Sequence, residues 1–234
     1  MRRAWLVTGL AAPELELHLA WDLLPLPPPQ LRVLPVRTTA VVLPYSRDPE
    51  REVYLNRCQE EGVPVVRRPS GGGAVVLAPG VVTLSALAPL EHTRSAERLF
   101  ARFCGWLAEA LASCGVQGLV LRGVSDLCLG ERKVAGTALR LTRASALFQA
   151  SVLVECDSTL FERYLPYPSR APDYRKGRSH KEFVTTLREA GYTVSCEEVA
   201  AALAASFRRV LAASQGLGPG SQADRGGSVL KGLS

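Results

Sequence analysis

The N-terminal third of the chain combines one helical pattern with several apolar runs. Leu15, Leu19 and Leu23 recur at intervals of four within residues 14–24, which predicts a short amphipathic helix that the proline-rich residues 25–29 end. Residues 31–36 and 39–43 contain many β-branched side chains and are predicted to be strands. Residues 61–89 contain apolar runs on both sides of a glycine cluster, the pattern of a strand-turn-strand unit.

The middle of the chain has one long helical pattern followed by strand patterns. Leu99, Phe103, Leu107 and Leu111 lie at helical spacing within residues 93–114, so this helix is expected to pack on a sheet. Residues 116–121, 126–129, 133–141 and 146–156 alternate or run apolar as strands do. The order of elements predicts an α+β fold with a mixed, mainly antiparallel sheet packed with helices.

Toward the C-terminus the pattern predicts two more helical segments and a tail. Residues 159–164 form a helical turn and residues 197–213 a final amphipathic helix. Between them, the polar and cationic loop 166–179 covers a ligand, contacts a protein partner or is a solvated surface loop. After Gly216 the composition is that of a disordered tail. We therefore expect one domain over residues 1–215 and a tail over 216–234.

Composition narrows the class of protein. The 234 residues are 47% hydrophobic, enough for one large core, and the net charge is +6. The basic residues are dispersed and aromatic residues make up only 6%, so an acidic protein partner is expected rather than nucleic acid. No apolar run reaches the ~18 residues of a membrane helix, and the six dispersed cysteines indicate neither a zinc site nor a disulfide scaffold. A cytoplasmic protein without membrane contact and without protein ligands to a metal is expected.

Lysine is rare in this chain, which makes Lys133 conspicuous. Only four lysines occur, at positions 133, 176, 181 and 231, so Lys133 is alone in the first 175 residues. A lysine provides a compact charge on a flexible stem that can follow a reacting carboxylate or phosphate, whereas arginine provides a planar fork. The alternative is an ordinary surface lysine.

A glycine cluster supplies a second candidate site. Arg67 and Arg68 precede Pro69, Ser70 and the run Gly71-Gly72-Gly73-Ala74-Val75-Val76. Three glycines allow backbone N–H groups to converge on an anion, and the arginines can add charge-assisted hydrogen bonds. The alternative is a glycine-rich hairpin turn with solvated arginines. The spacing matches neither a P-loop nor a dinucleotide-binding fingerprint.

Together these motifs resemble the lipoate protein ligase family, which is related to the biotin protein ligases. The resemblance rests on Arg-Arg-x-Ser-Gly-Gly-Gly-Ala-Val near residue 70, on Ser125-Asp126-Leu127, and on Gly-x-x-Lys-Val-Ala-Gly-x-Ala from Gly130. It covers roughly residues 12–190 and implies the catalytic-domain fold of that family. It also implies attachment of lipoate, or a related acyl group, to a lysine of a carrier domain through an acyl adenylate made from ATP.

The resemblance also assigns roles to residues. Lys133 is implied as the catalytic residue, and Asp126 is implied to orient the nucleotide or to hold Lys133 charged, with a turn-capping aspartate as the alternative. The residues implied to bind the nucleotide are Arg68, Ser70, Gly71, Gly72, Gly73, Ala74, Val75, Val76, Asp126, Gly136, Thr137 and Ala138. Mg²⁺ is expected with ATP. The implied partners are lipoyl carrier domains, namely the E2 subunits of 2-oxoacid dehydrogenases or the glycine cleavage H protein.

The sequence departs from the family pattern at several positions. Leu77 and Ala78 replace the usual His-Asp, Gln149 and Ala150 replace His-Gly, and Pro44 replaces a glycine near the acyl pocket. The residues implied to bind phosphate are retained. The departures leave open whether the acyl group is lipoate or octanoate.

Two other functions remain open. An acyltransferase of this fold would use a cysteine thioester from an acyl carrier protein, but no cysteine occurs in residues 116–123 or 165–168, where the transferases place theirs. A non-catalytic binder of lipoyl domains would not need Lys133 and Arg68. Because 47 residues follow Leu187, fewer than the usual accessory domain, we expect either a separate accessory subunit or transfer from a preformed adenylate.

Overall fold

The computed structural model describes residues 13–90 and 94–213, and within them nine strands form two sheets. The strands are β1 (Gln30–Pro35), β2 (Ala40–Pro44), β3 (Val65–Arg68), β4 (Val75–Leu77), β5 (Val81–Pro89), β6 (Leu119–Arg122), β7 (Asp126–Leu129), β8 (Arg132–Leu141) and β9 (Ser145–Leu153). The helices are α1 (Glu16–Leu19), α2 (Pro49–Glu52), α3 (Leu55–Glu60), α4 (Ala96–Ser113), α5 (Thr159–Tyr164), α6 (His180–Phe183) and α7 (Cys196–Ala213).

The larger sheet has six strands in the order β1-β5-β9-β8-β7-β6, and every neighbouring pair is antiparallel. The smaller sheet has the order β3-β2-β4, with β2 parallel to β3 and antiparallel to β4. The predicted α+β class with a mixed, mainly antiparallel arrangement is confirmed. The strands β2 and β3 can be parallel because α2 and α3, which lie between them in the chain, supply the crossover that parallel strands require.

The two long helices cover one face of the large sheet. The Ser95 side chain caps α4 by accepting a hydrogen bond from the Arg98 N–H at 3.3 Å. Phe103 of α4 stacks on Phe148 of β9 with ring centroids 4.8 Å apart, and Phe148 stacks in turn on Phe207 of α7 at 6.3 Å. All three rings are fully buried, and each such side chain stabilises the fold by about 1.5–3 kcal/mol. The predicted helices at residues 93–114 and 197–213 are confirmed within a few residues.

The predicted helix at residues 14–24 is wrong as a continuous element. It is divided into a 3₁₀ turn (Pro13–Leu15), α1 and a second 3₁₀ turn (Trp21–Leu23), because Ala20 adopts a left-handed backbone with φ +60°. The break lets Leu19 pack into the core beneath the small sheet while Ala20 and Leu23 pack with Leu87 and Leu147. A straight helix would direct both leucines to one face.

Other boundaries also differ from the prediction. The short helices α2, α3 and α6 lie where no helix was predicted. The strand predicted at 116–121 begins at Leu119, and the strand predicted at 146–156 ends at Leu153. The tail predicted at 216–234 lies outside the described residues. No helix in the two described stretches has the length and apolarity needed to cross a bilayer.

Candidate active site

A cleft of about 600 Å³ opens between the two sheets and is closed on one side by the loop at residues 166–179. Its apolar walls include Val42, Leu84, Leu153, Phe161 and Phe183. Its charged walls contain six cations and two carboxylates: Arg47, Arg68, Arg122, Lys133, Arg170, Arg175, Asp126 and Asp173. This imbalance favours an anionic ligand with an apolar portion.

Lys133 reaches the cleft because strand β8 contains a bulge. Asp126 pairs with Gly136 and Leu127 with Ala135, but Cys128 pairs with Lys133, so Val134 has no cross-strand partner. The extra residue places Lys133 and Gly136 on the cleft side, although a regular strand would put residues three apart on opposite faces. Val134 and Ala135 are both fully buried in the core.

Two hydrogen-bonded contacts fix the carboxylate of Asp126. Lys133 Nζ lies 2.7 Å from Asp126 Oδ1, and the Tyr174 hydroxyl donates to Asp126 Oδ2 at 2.8 Å. The side chains of Lys133 and Asp126 are 23% and 11% exposed, so this ion pair is only weakly screened by solvent. The expectation that Asp126 lies beside Lys133 agrees with this geometry. Burial raises the pKa of Tyr174, with the Asp126 charge as a second cause, so the hydroxyl stays protonated and donates.

Gly136 leaves the space that Lys133 occupies. A Cβ atom at position 136 would lie 2.9 Å from both Cε and Nζ of Lys133, so the lysine side chain crosses directly over this glycine. Gly136 also belongs to a row of residues paired across four neighbouring strands, and all of them line the cleft: Thr83, Ser151, Gly136 and Asp126. At about 4.8 Å per strand this floor row is roughly 14 Å long. At its far end, His18 Nδ1 lies 2.7 Å from Thr83 Oγ1.

Arg68 braces the glycine loop, defined here as residues 70–74. Its Nη2 donates to the carbonyls of Gly71 at 2.6 Å and Gly73 at 2.8 Å, and its Nη1 donates to Val42 O at 3.2 Å. Burial lowers the pKa of Arg68 to about 10, so the side chain remains charged at neutral pH. Gly72 adopts φ +97°, and a Cβ there would lie 3.1 Å from Arg68 Nη2. The loop conformation therefore requires glycine at position 72.

Ser70 connects the glycine loop to the large sheet. Its hydroxyl donates to Gln149 Oε1 at 2.6 Å and accepts from Arg68 Nε at 3.1 Å. Gln149 Nε2 in turn donates to Leu19 O at 3.1 Å. Ser70 is 1% exposed, and both hydrogen bonds of its hydroxyl are made within the protein.

Most residues predicted for the site meet in the cleft. Those on its walls are Arg68, Gly72, Gly73, Ala74, Val75, Val76, Asp126, Lys133, Gly136 and Thr137. Ser70, Gly71 and Ala138 are not part of this lining: Ser70 and Ala138 are buried, Gly71 is exposed, and Ala138 pairs with Gln149 in the sheet. The Thr137 hydroxyl donates to Ser125 O at 2.8 Å, which fixes the turn before Asp126. Their contacts with a nucleotide stay predictions.

Individual residues of the 166–179 loop and of α6 also contribute to the cleft, although the sequence did not predict them as site residues. Tyr174 holds Asp126, Arg175 lines the cleft, and His180 lines it with Nε2 3.0 Å from Pro166 O. Burial lowers the pKa of His180, so the ring is neutral near pH 7. The cationic composition of the loop was the available signal, but it could not show which side chain turns inward.

None of the cysteines resembles an activated nucleophile. All six are free thiols, and no cysteine lines the cleft among residues 13–90 and 94–213. Burial raises the pKa of Cys104 to about 11 and that of Cys156 to about 12. Cys128 is fully buried, and burial raises the pKa of its thiol. In the same residues no group of three or more His, Cys, Asp or Glu side chains is arranged to hold a metal ion.

Comparison with known proteins places this geometry in context. The protein-family model described as "Lipoyl protein ligase A/B catalytic domain" matches residues 17–208. A protein from Aeropyrum pernix named putative lipoate-protein ligase A is 31% identical over 128 residues, which cover 55% of this chain and 47% of the relative. The human protein named lipoyl amidotransferase LIPT1, mitochondrial, is 28% identical over 171 residues, which cover 72% of this chain and 44% of the relative. The chain thus spans about half the length of these relatives.

Solved structures share the fold. A bi-partite lipoate protein ligase from Thermoplasma acidophilum superposes with a TM-score of 0.71 at 23% identity, covering 84% of this chain and 78% of that one. A lipoate-protein ligase A bound with ATP superposes with a TM-score of 0.66 at 25% identity, covering 79% of this chain and 73% of that one. The predicted catalytic-domain fold is confirmed by these similarities.

Proposed function

Because the chain belongs to the lipoyl protein ligase A/B catalytic-domain family, we propose that it attaches lipoate, or a related medium-chain acyl group, to a lysine of lipoyl carrier domains through an acyl adenylate made from ATP. The observation that carries this proposal is the position of Lys133, held by Asp126 above Gly136 in a cation-rich cleft. The partners would be E2 subunits of 2-oxoacid dehydrogenases or the glycine cleavage H protein.

The walls of the cleft suit both halves of such a substrate. Val42, Leu84 and Leu153 offer apolar surface to an acyl chain, while the excess of cations suits a triphosphate. The glycine loop supplies backbone close to the cleft, braced by Arg68 from behind. The similar ligase structure with ATP supports the assignment of the nucleotide.

The proposed reaction has two steps. In the first, a carboxylate oxygen of the acyl group bonds to the α-phosphorus of ATP, the bond to the bridging oxygen breaks, and pyrophosphate leaves. In the second, the carrier lysine amine attacks the carbonyl carbon of the adenylate, the bond to the phosphate oxygen breaks, AMP leaves and the amine loses a proton. Lys133 reduces repulsion between carboxylate and phosphate in the first step and polarises the carbonyl in the second. A preorganised group in this role contributes on the order of 3 kcal/mol.

Mg²⁺ would enter as part of the bound ATP. The carboxylates on the described walls of the cleft are Asp126 and Asp173, and both oxygens of Asp126 are engaged by Lys133 and Tyr174. Mg²⁺ is commonly held by substrate phosphates with one or two carboxylates, and Asp173 is the carboxylate left for it. The ion would neutralise phosphate charge while Lys133 acts on the acyl oxygen.

A second candidate is acyl transfer without ATP, because the human relative is named a lipoyl amidotransferase. Transfer from a preformed lipoyl adenylate would use the same residues as the second step. Transfer through a cysteine thioester has less support, because no cysteine lines the described walls of the cleft. An adenylate-dependent transferase is therefore the main alternative, and a separate accessory subunit would then make the adenylate.

Mass spectrometry of a lipoyl carrier domain tests these proposals. We expect a gain of one lipoyl group with lipoate, ATP and Mg²⁺, and its loss with Lys133→Ala. The matched control is Lys181→Ala, a lysine outside the cleft, which should react normally. Modification only when lipoyl adenylate is supplied would establish the transferase. No modification from either donor, or full activity of Lys133→Ala, would reject the proposal.

A further inference from the structure

Arg175 is a nearly buried cation in the wall of the cleft. It ends a 3₁₀ turn (Asp173–Arg175) in the 166–179 loop and is 3% exposed. No carboxylate forms an ion pair with it in the described part of the chain. Asp126, whose charge acts on Arg175, is already engaged by Lys133 and Tyr174. A buried guanidinium without a counter-ion is unfavourable unless a ligand supplies the charge.

The side chain is held in one orientation. Its guanidinium lies between the rings of Tyr167 and Phe183, with the central carbon 4.7 Å from each ring centroid. Arg175 Nε donates to Arg178 O at 2.8 Å, while Nη2 is buried and has no hydrogen-bond partner among the described residues. This planar donor is therefore positioned in advance but incompletely satisfied, a feature of binding sites.

The surrounding groups favour an anionic ligand over a neutral one. The charged and titratable groups that interact with Arg175 include Tyr167, Tyr174, Arg178, His180 and Asp126. Arg178 adds positive charge here. The carboxylate that acts on Arg175 is that of Asp126, which Lys133 and Tyr174 already engage. Asp173 lies in the same turn and lines the cleft, but it forms no ion pair with Arg175 in the described part of the chain. An anion entering the cleft would meet a cation whose charge is only partly neutralised.

We propose that Arg175 binds an anionic oxygen of the substrate, either the acyl carboxylate or the α-phosphate of the nucleotide. The proposal rests on the proposed function, because it assumes that an acyl group and a nucleotide occupy this cleft. Arg175 then adds a contact from the 166–179 loop to a binding site that also includes the glycine loop, a distant segment of the chain. Because Tyr174 is adjacent in sequence, anion binding by Arg175 also fixes the loop that orients Asp126.

Pairs of charged and neutral ligands provide the test. Calorimetry with the full chain would compare AMP with adenosine and octanoate with octanamide, for the wild type, Arg175→Gln and Arg175→Lys. We expect Arg175→Gln to weaken one charged ligand at least ten-fold and its neutral counterpart less than two-fold. Arg175→Lys should recover part of the loss, since it keeps the charge but not the planar fork. The charged ligand that weakens identifies the anionic group.

A control separates ligand binding from loop structure. Arg178 belongs to the same loop as Arg175 but does not line the cleft. Arg178→Gln removes its hydrogen bonds to the carbonyls of Tyr174 and Glu131. It should weaken charged and neutral ligands by the same factor. If Arg175→Gln behaves in that way, or changes no affinity, Arg175 is a structural residue and the inference fails while the proposed function stands. If the wild type binds neither AMP nor octanoate, the proposed function and this inference fail together.

Discussion

Replacing Gly136 with alanine should impair the reaction without harming the fold. The added Cβ would lie 2.9 Å from Cε and Nζ of Lys133, whereas Cβ contacts below 3.4 Å are uncommon. The lysine tip must therefore move by about 0.5 Å, the difference between those distances, and its 2.7 Å contact with Asp126 must lengthen or turn. Since a misplacement of 1 Å can lower a rate about 10²-fold, we expect roughly a ten-fold loss in kcat/KM, or about 1.4 kcal/mol.

The effect on stability should be small for three reasons. The backbone at Gly136 does not lie in the left-handed region, so alanine introduces no backbone strain. The atoms that the new methyl group meets are the end of a flexible side chain. Alanine also restricts the unfolded chain, which stabilises by about 0.4–1 kcal/mol and offsets the weakening of the ion pair. Urea unfolding should therefore show a change within about 1 kcal/mol.

Steady-state modification of the carrier domain, followed by mass spectrometry, measures the rate. Gly105→Ala is the matched control, because position 105 lies in α4 and an added Cβ there meets no atom within 4 Å. It should leave the rate unchanged. A Gly136→Ala protein that reacts at the wild-type rate would refute the argument that the position of Lys133 limits the reaction.

Two further predictions concern the glycine loop and the cysteines. Gly72→Val should abolish ATP binding, because φ +97° disfavours a β-branched residue and the added Cβ would lie 3.1 Å from Arg68 Nη2. Calorimetry measures this affinity, and an unchanged value would place the nucleotide elsewhere. At pH 8 the thiols should stay protonated, since burial raises the pKa of Cys58 and Cys196 to about 11, so iodoacetamide should leave acyl transfer intact. Rapid inactivation with labelling of one cysteine would instead favour the thioester mechanism.

Sequence patterns predicted the elements whose apolar residues recur with one clear periodicity. Helices α4 and α7 have apolar residues on one face, and the strands of the large sheet are apolar enough to identify. The short helices α2 and α3 were missed because they are polar and contain only one or two turns, too few for a periodic signal. Ala20 was missed because its left-handed backbone follows from tertiary packing rather than from local preference.

The candidate site was only partly predictable for a related reason. Lys133, Asp126 and the glycine loop are marked by residue type and spacing, but the position of Lys133 beside Asp126 depends on the bulge at Val134. Pairing across strands placed Thr83, Ser151 and Gly136 in one row, and sequence separation gives no information on that register. Arg175 resembles the other cations of its loop until the structure shows it between two aromatic rings.

If the acyl group of the proposed reaction lies along the floor row, the length of this row sets the length of acyl chain that the cleft can hold. The row runs across the strands, so backbone hydrogen bonds between the strands fix the spacing of its residues at about 4.8 Å. Side-chain substitutions do not change this spacing, but a larger side chain in place of Ser151 or Thr83 would shorten the open part of the row. Under the proposed function, such a substitution would shorten the acyl chain that the cleft accepts without changing the surroundings of Lys133.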